Sequence, residues 1–238
     1  MTSRWPTFSS LAVWLAAASS LAAGTVTAQV ELTNSRDPAV RKHNYSGVVL
    51  WLEPVAHPAP PSPHRAEMKQ EGKQFIPHVL AIPVGGTVSF PNLDPIFHNA
   101  FSNFSGKPFD VGLYPPRTTR TVTFDKPGIV QVFCNIHSTM SAIIAVVPTP
   151  WYAVTPPTGK IAIANVPPGE YELRIYHERA LPENLKFLEH RIAVPEAELA
   201  LPLISISETG FTPAEHLDKH GKPYPKQAPE GIYSTGGR

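Results

Sequence analysis

Apolar residues in this chain alternate with polar ones over short runs and then stop at a proline or glycine. They do not recur at the three-to-four spacing of an amphipathic helix. Tyr45–Pro54 (YSGVVLWLEP) is β-branched and aromatic and closes on proline; Arg117–Phe124 (RTTRTVTF) alternates. Gly128–Cys134 (GIVQVFC) is a further run of this kind, and Ser141–Val147 (SAIIAVV) is apolar on both faces. His78–Phe90 reads as two strands around Gly85-Gly86, a hairpin signal, and Gly159–Glu178 reads as strand, Pro-Gly turn, strand. Proline breaks helix interiors and central strands alike, and 28 of them leave room only for short elements. The fold class expected is all-β, built as β-sandwiches.

The first 28 residues read as a secretory signal. Arg4 gives the positive start, LAVWLAAASSLAAG the apolar stretch, and the small residues at Val26 and Ala28 a cleavage site before Gln29. The stretch is too short and too rich in Ala and Ser to argue for a permanent span, so the mature chain is expected in the periplasm or outside the cell, with no membrane span. The chain holds 20 Lys and Arg against 19 Asp and Glu; with Arg4 removed the two balance. Without a basic run or net positive charge, nucleic acid and anionic membrane are excluded as main partners.

Two proline-rich breaks organise the rest, Ala56–His64 (AHPAPPSPH) and Pro148–Trp151 (PTPW). They bound a domain over 65–148. Residues 29–56 and 149–207 are expected to form a second sandwich, discontinuous in sequence, into which the first is inserted. Residues 208–238 turn polar and rich in Pro and Gly and are expected to be a loosely ordered tail.

The single cysteine, Cys134, lies in CNIHSTM, followed at three-residue steps by His137 and Met140. Exported chains carry cysteines in pairs; a lone one is an intermolecular bridge, an inert buried thiol, a nucleophile or a metal ligand. Strand parity places Val130, Val132 and Cys134 on one inward face, so the thiol ends a buried strand. A copper site of the electron-transfer type takes two imidazoles and a thiolate in a plane, with a weak thioether on the axis. The second imidazole would be His98, in DPIFHNAF at the end of another strand. Taken singly, each residue has a plainer role: a core thiol, a turn histidine, a gap-filling methionine. A nucleophile would need a base and an orienting partner, and would leave His98 and Met140 without a role. His57, His64 and His78 read as loop or strand-edge residues. His216 and His220 are four apart, but Gly221 and Pro223 spoil the helix that would aim them together.

The full ordered set resembles the cupredoxins, the type 1 blue copper proteins. C-x2-H-x2-M has the loop spacing of amicyanin, FIPHVLAIPVGGTVSFPNLDPIFHN resembles the plastocyanin pattern that ends in His-Asn, and FDKPGIVQVFC resembles its approach to the cysteine. The likeness covers roughly residues 65–148. It implies His98, Cys134, His137 and Met140 as ligands of one type 1 copper, and Asn99 as the residue that ties the two ligand loops. It departs at Val130 and Val132, where the family often has aromatics. GKIAIANVPPGEYELRIYHE also resembles the carboxypeptidase regulatory-like or transthyretin-like sandwich, a short likeness that makes Gly169 and Tyr171 structural and transfers no catalytic residue.

What this implies is an exported protein carrying single electrons between redox partners, meeting another exported redox protein through a small interface. His137 would be the electron's exit, with Phe97, Pro115 and Pro116 supplying apolar surface around it. The alternatives are a copper carrier or store, and a binding or adhesion module worked by the second sandwich. No acid, base and nucleophile set is legible, so an enzyme is not expected.

Overall fold

Two four-stranded sheets close around one core at the ends of the chain, and two further sheets close around another in its middle. The computed structural model describes residues 23–103, 107–212 and 216–224. They are almost wholly strand and loop, with two short helical turns at Pro38–Arg41 and Pro182–Lys186. Among the described residues no helix is long and apolar enough to cross a membrane.

In the outer unit, Gly24–Thr33 pairs with Lys160–Val166, Glu198–Ala200 and Ile204–Ser207. The facing sheet runs Tyr152–Val154, Val49–Pro54, Gly169–Tyr176, His190–Val194. Val26, Val30, Leu50, Leu52, Leu173 and Ile206 fill the space between. Val49–Pro54 is therefore paired with Gly169–Tyr176, in register from Tyr176↔Val49 to Tyr171↔Pro54, although the whole inner unit lies between them in sequence. Tyr171 donates its hydroxyl proton to the Pro167 carbonyl across the Pro-Gly turn, at 2.8 Å.

The inner unit sets Thr119–Phe124, Gly86–Pro91 and Arg65–Glu67 against a five-stranded sheet ordered Val79–Pro83, Ser141–Val147, Gly128–Phe133, Phe101–Ser102, Phe109–Asp110. The Gly85-Gly86 hairpin expected from the sequence is not formed. Val79–Pro83 and Gly86–Pro91 belong to different sheets, so the turn is a corner. It is pinned to both: Val84 N–H donates to the Val147 carbonyl at 3.0 Å, and Gly85 N–H to the Phe124 carbonyl at 2.6 Å. The side chain of Ile82 crosses over Gly86, where a Cβ would lie 2.3 Å from Ile82 Cγ1, so glycine is needed there for the corner to close.

Ser141–Val147 shows why its sequence carries no polar face. Ala142, Ile144 and Val146 point into the inner core. Ile143, Ala145 and Val147 point the other way and pack with Val49, Val79 and Ala81. The two units thus meet sheet against sheet over an apolar layer, with Trp51, Tyr152, Val154 and Tyr176 at its margin. At one edge His78 reaches Glu178 across the junction at 2.8 Å while its Nδ1 bonds the Ser141 carbonyl at 3.0 Å.

Two terminal expectations change. The leader expected over 1–28 lies outside the described residues up to residue 22, but the first strand starts at Gly24, upstream of the cut expected after Ala28. That cut would remove the buried Val26 and Ala28 and their pairing with Ile163 and Ile161, so a mature chain that keeps this sheet begins at or before Gly24. In the tail expected to be loosely ordered, residues 216–224 dock on the Cys134 end of the inner unit. The His216 ring stacks on Phe133 with centroids 4.2 Å apart, Lys219 N–H donates to Asn135 Oδ1 at 3.0 Å, and Tyr224 donates its hydroxyl proton to the Cys134 carbonyl at 2.8 Å.

Candidate metal centre

Val130, Val132 and Cys134 line the inner core in turn, and the strand ends at Phe133, paired with Ser141. Between those partners the chain must reverse. It does so in a loop closed by its own backbone: Cys134 N–H donates to the Met140 carbonyl at 3.2 Å and Met140 N–H to the His137 carbonyl at 3.0 Å. This closure draws Cys134, His137 and Met140 to one end of the sandwich. His98 arrives from the opposite side, held by a two-way backbone bridge to Tyr114, at 3.1 and 2.9 Å. Tyr114 is itself fully buried, with its hydroxyl donating to Gln70 Oε1 and the Phe90 carbonyl.

Cys134 Sγ lies 3.8 Å from His98 Nδ1 and 3.6 Å from His137 Nδ1, and one ligand atom from each of the three residues falls within 4.8 Å of the others. A first-row ion with bonds of about 2.3 Å to sulfur and about 2.0 Å to nitrogen, set in a trigonal plane, spaces a sulfur and a nitrogen about 3.8 Å apart. The donor set fits a soft ion, and the spacing leaves room for one among the three donors. Cys134, His98 and Met140 are buried, while His137 is partly exposed. Met140 belongs to the same packed cluster as Cys134.

The electrostatics hold the thiol and the His137 imidazole in their neutral forms. Burial pushes the Cys134 thiol up, although the backbone N–H groups of Ile136, Asn99 and His137 directed at the sulfur work the other way. Burial, with the neighbouring His98 and Lys73, pushes the His137 imidazole down, so it stays neutral and able to ligate. A metal ion draws the proton from the thiol and so converts an unfavourable buried group into a bonded one.

Asn99 accepts from Asn135 N–H at 3.3 Å. Its amide donates to Asp110 Oδ1 at 2.7 Å and to the Gly112 carbonyl at 3.0 Å, so one side chain spans the His98 segment, the Cys134 loop and the Asp110–Gly112 turn. Sequence reasoning missed three neighbours. Asp94 takes the second ring nitrogen of His98 at 2.8 Å; Gln70, fully buried, donates to the Asn99 carbonyl at 3.1 Å; Tyr224 reaches the Cys134 carbonyl from the tail. The one available signal was an acid four residues before a candidate ligand. Three other histidines are engaged elsewhere: His64 with Tyr152, His78 with Glu178, His216 with Phe133. Among the described residues the His98, Cys134, His137 group is the one cluster of three or more metal-ligating side chains found.

Next to the site residues in the chain, several apolar side chains are exposed: Phe97 50 %, Leu113 56 % and Ile136 43 %.

No family model matches the chain, and no curated protein sequence does. The solved structures that resemble it are cupredoxins over part of its length. A purple cupredoxin from Nitrosopumilus maritimus is 23 % identical, covering 34 % of this chain and 99 % of its own, with a TM-score of 0.32. A copper-containing nitrite reductase from Thermus scotoductus is 30 % identical over 50 % of this chain and 28 % of its own, with a TM-score of 0.34. A reduced amicyanin variant is 16 % identical, covering 41 % of this chain and 98 % of its own, with a TM-score of 0.34. These likenesses are partial and low-scoring, and the ligand assignment stands on the side chains just described.

Proposed function

We propose that this is an exported type 1 copper protein that carries single electrons, in which His98, Cys134, His137 and Met140 would hold the ion. The observation that carries the reading is the convergence of one buried thiol and two imidazole Nδ1 atoms, 3.6 and 3.8 Å from the sulfur, at the end of a closed sandwich. Bound copper supplies a one-electron redox couple. The chain's own part is threefold. Tyr114 and the Cys134–Met140 closure hold the ligands in one arrangement, which keeps reorganisation on electron transfer small. Burial of His98, Cys134 and Met140 keeps water from the ion. His137, partly exposed next to the exposed Ile136, gives the electron a short way out, and exposed apolar side chains such as Phe97 and Leu113 suit brief contact with a redox partner.

A carrier or store of copper would use the same ligands but must release the ion. Chelator challenge of the copper-loaded protein, run beside stopped-flow reduction and reoxidation by small redox reagents, separates them. Electron exchange within milliseconds with copper retained for hours fits the proposal; copper lost to the chelator within seconds contradicts it.

A further inference from the structure

The His98–Asp94 pair is built, not incidental. Asp94 and His98 are both buried, and three N–H groups converge on the carboxylate. Gly72 N–H donates to Oδ1 at 2.7 Å, Lys73 N–H to Oδ2 at 2.9 Å, and His98 Nε2 lies 2.8 Å from Oδ2. Backbone amides can only donate, so the carboxyl group must accept. His98 Nδ1 faces the thiol, so a ligating imidazole carries its proton on Nε2 and gives it to Asp94. The amides come from the tip of the Lys69–Glu71/Gln74–Ile76 hairpin, where Gly72 and Lys73 take φ of +63° and +57°. Two successive left-handed residues are what a tight type I′ turn requires, and here they point adjacent N–H groups at one side chain. Asn92 holds the acid from behind by accepting from Asp94 N–H at 3.1 Å.

We propose that Asp94 is a positioning residue for the metal centre: it fixes the tautomer and plane of His98 and places a buried negative charge one imidazole away from the ion, favouring the oxidised state. This rests on the copper reading above. A charged acceptor makes the imidazole a stronger donor than a neutral one would, and a fixed negative charge in a poorly screened site stabilises the more positive ion more. The hairpin tip thereby acquires a role in the redox centre that it does not touch.

The test is Asp94→Asn, with Asp94→Glu as the conservative control, read by the visible spectrum, by voltammetry and by melting of the metal-free protein. The expected result is a blue Asp94→Asn protein whose equilibrium for reduction is shifted at least tenfold toward copper(I), a rise of ~59 mV for one electron, with Asp94→Glu moving it less. An unchanged potential, even with a lowered melting temperature, overturns the inference and leaves Asp94 as a mere anchor for the hairpin. If wild-type protein takes up no copper, the copper reading itself has failed, which the wild-type spectrum shows before any variant is made. Should Asp94→Asn not fold, nitrogen-15 NMR of the His98 ring in wild-type copper(I) protein decides. A slowly exchanging proton on Nε2 supports the inference; a bare Nε2 overturns it.

Discussion

Among the described residues two histidine–carboxylate pairs are buried, one in each unit, at the same 2.8 Å, and they do opposite things. In the outer unit His177 meets Glu208. Glu208 also accepts from Arg179 Nε at 3.0 Å and from the Ser35 hydroxyl, so its charge is compensated by an arginine and its lone pairs are used. His177 Nδ1, on the far side of the ring, meets no hydrogen-bond partner. In the inner unit Asp94 is satisfied in the same manner, but the far nitrogen of His98 looks onto a thiol and a second imidazole. One pair ends in packing; the other passes its orientation to three donors aimed at a common point. A buried ion pair is weak evidence of function. Two ring nitrogens converging on one thiol are the stronger sign, because a single S–H can satisfy only one of them, and an added ion engages all three.

The largest effect expected is at Cys134. Cys134→Ser replaces a soft, ionisable ligand by a hydroxyl that neither deprotonates readily nor suits copper(I). Loss of all blue colour on copper addition, with the fold kept by circular dichroism, is the expected outcome; a variant that stays blue would remove the thiol from the site.

Glu208→Ala probes the other half of the comparison. It leaves the buried His177 without its partner while Arg179 keeps Asp37 and Glu178, and leaving a buried polar group unsatisfied costs about 1–3 kcal/mol, a fall in melting temperature on the order of 5 °C for a chain of this size. The copper spectrum of the folded variant should be unchanged. A bleached or shifted spectrum would mean that the outer pair is not purely structural.

Subtler is the axial position. If Met140 sulfur contacts the ion, Met140→Gln lowers the potential, because an amide oxygen favours copper(II), and Met140→Leu raises it. Each ~59 mV is a tenfold change in the one-electron equilibrium. Leucine for methionine is nearly volume-conserving and costs little stability, so packing alone predicts no ordered change. Potentials that do not rank Gln below Met below Leu would take Met140 out of the centre.

Much of the candidate site could be read from the chain because its side chains sit at fixed steps on a strand end and its loop. Cys134, His137 and Met140 share one closed turn, and His98 with Asn99 follows the strand that faces it. The all-β fold was legible for the same reason, since strand parity is local. What the sequence hid is long-range. Gly85-Gly86 advertises a turn, but turn residues do not say which sheet the next strand joins; Ile82 crossing Gly86 decides that. Asp94 sits in an Asn-Leu-Asp-Pro stretch that looks like ordinary turn chemistry, and its partners come from a hairpin more than twenty residues earlier. Residues 216–224 read as tail because they are rich in Pro, Gly and polar groups; their order comes from Phe133, Asn135 and the Cys134 carbonyl, contacts with no local signature.

In the proposed centre the Cys134 thiolate and the His98 and His137 imidazoles would hold copper. The most direct test is the visible spectrum of purified protein titrated with copper(II). The account predicts an intense charge-transfer band that rises linearly and stops at one equivalent per chain. A pale, tetragonal spectrum, or no saturable binding, would contradict it.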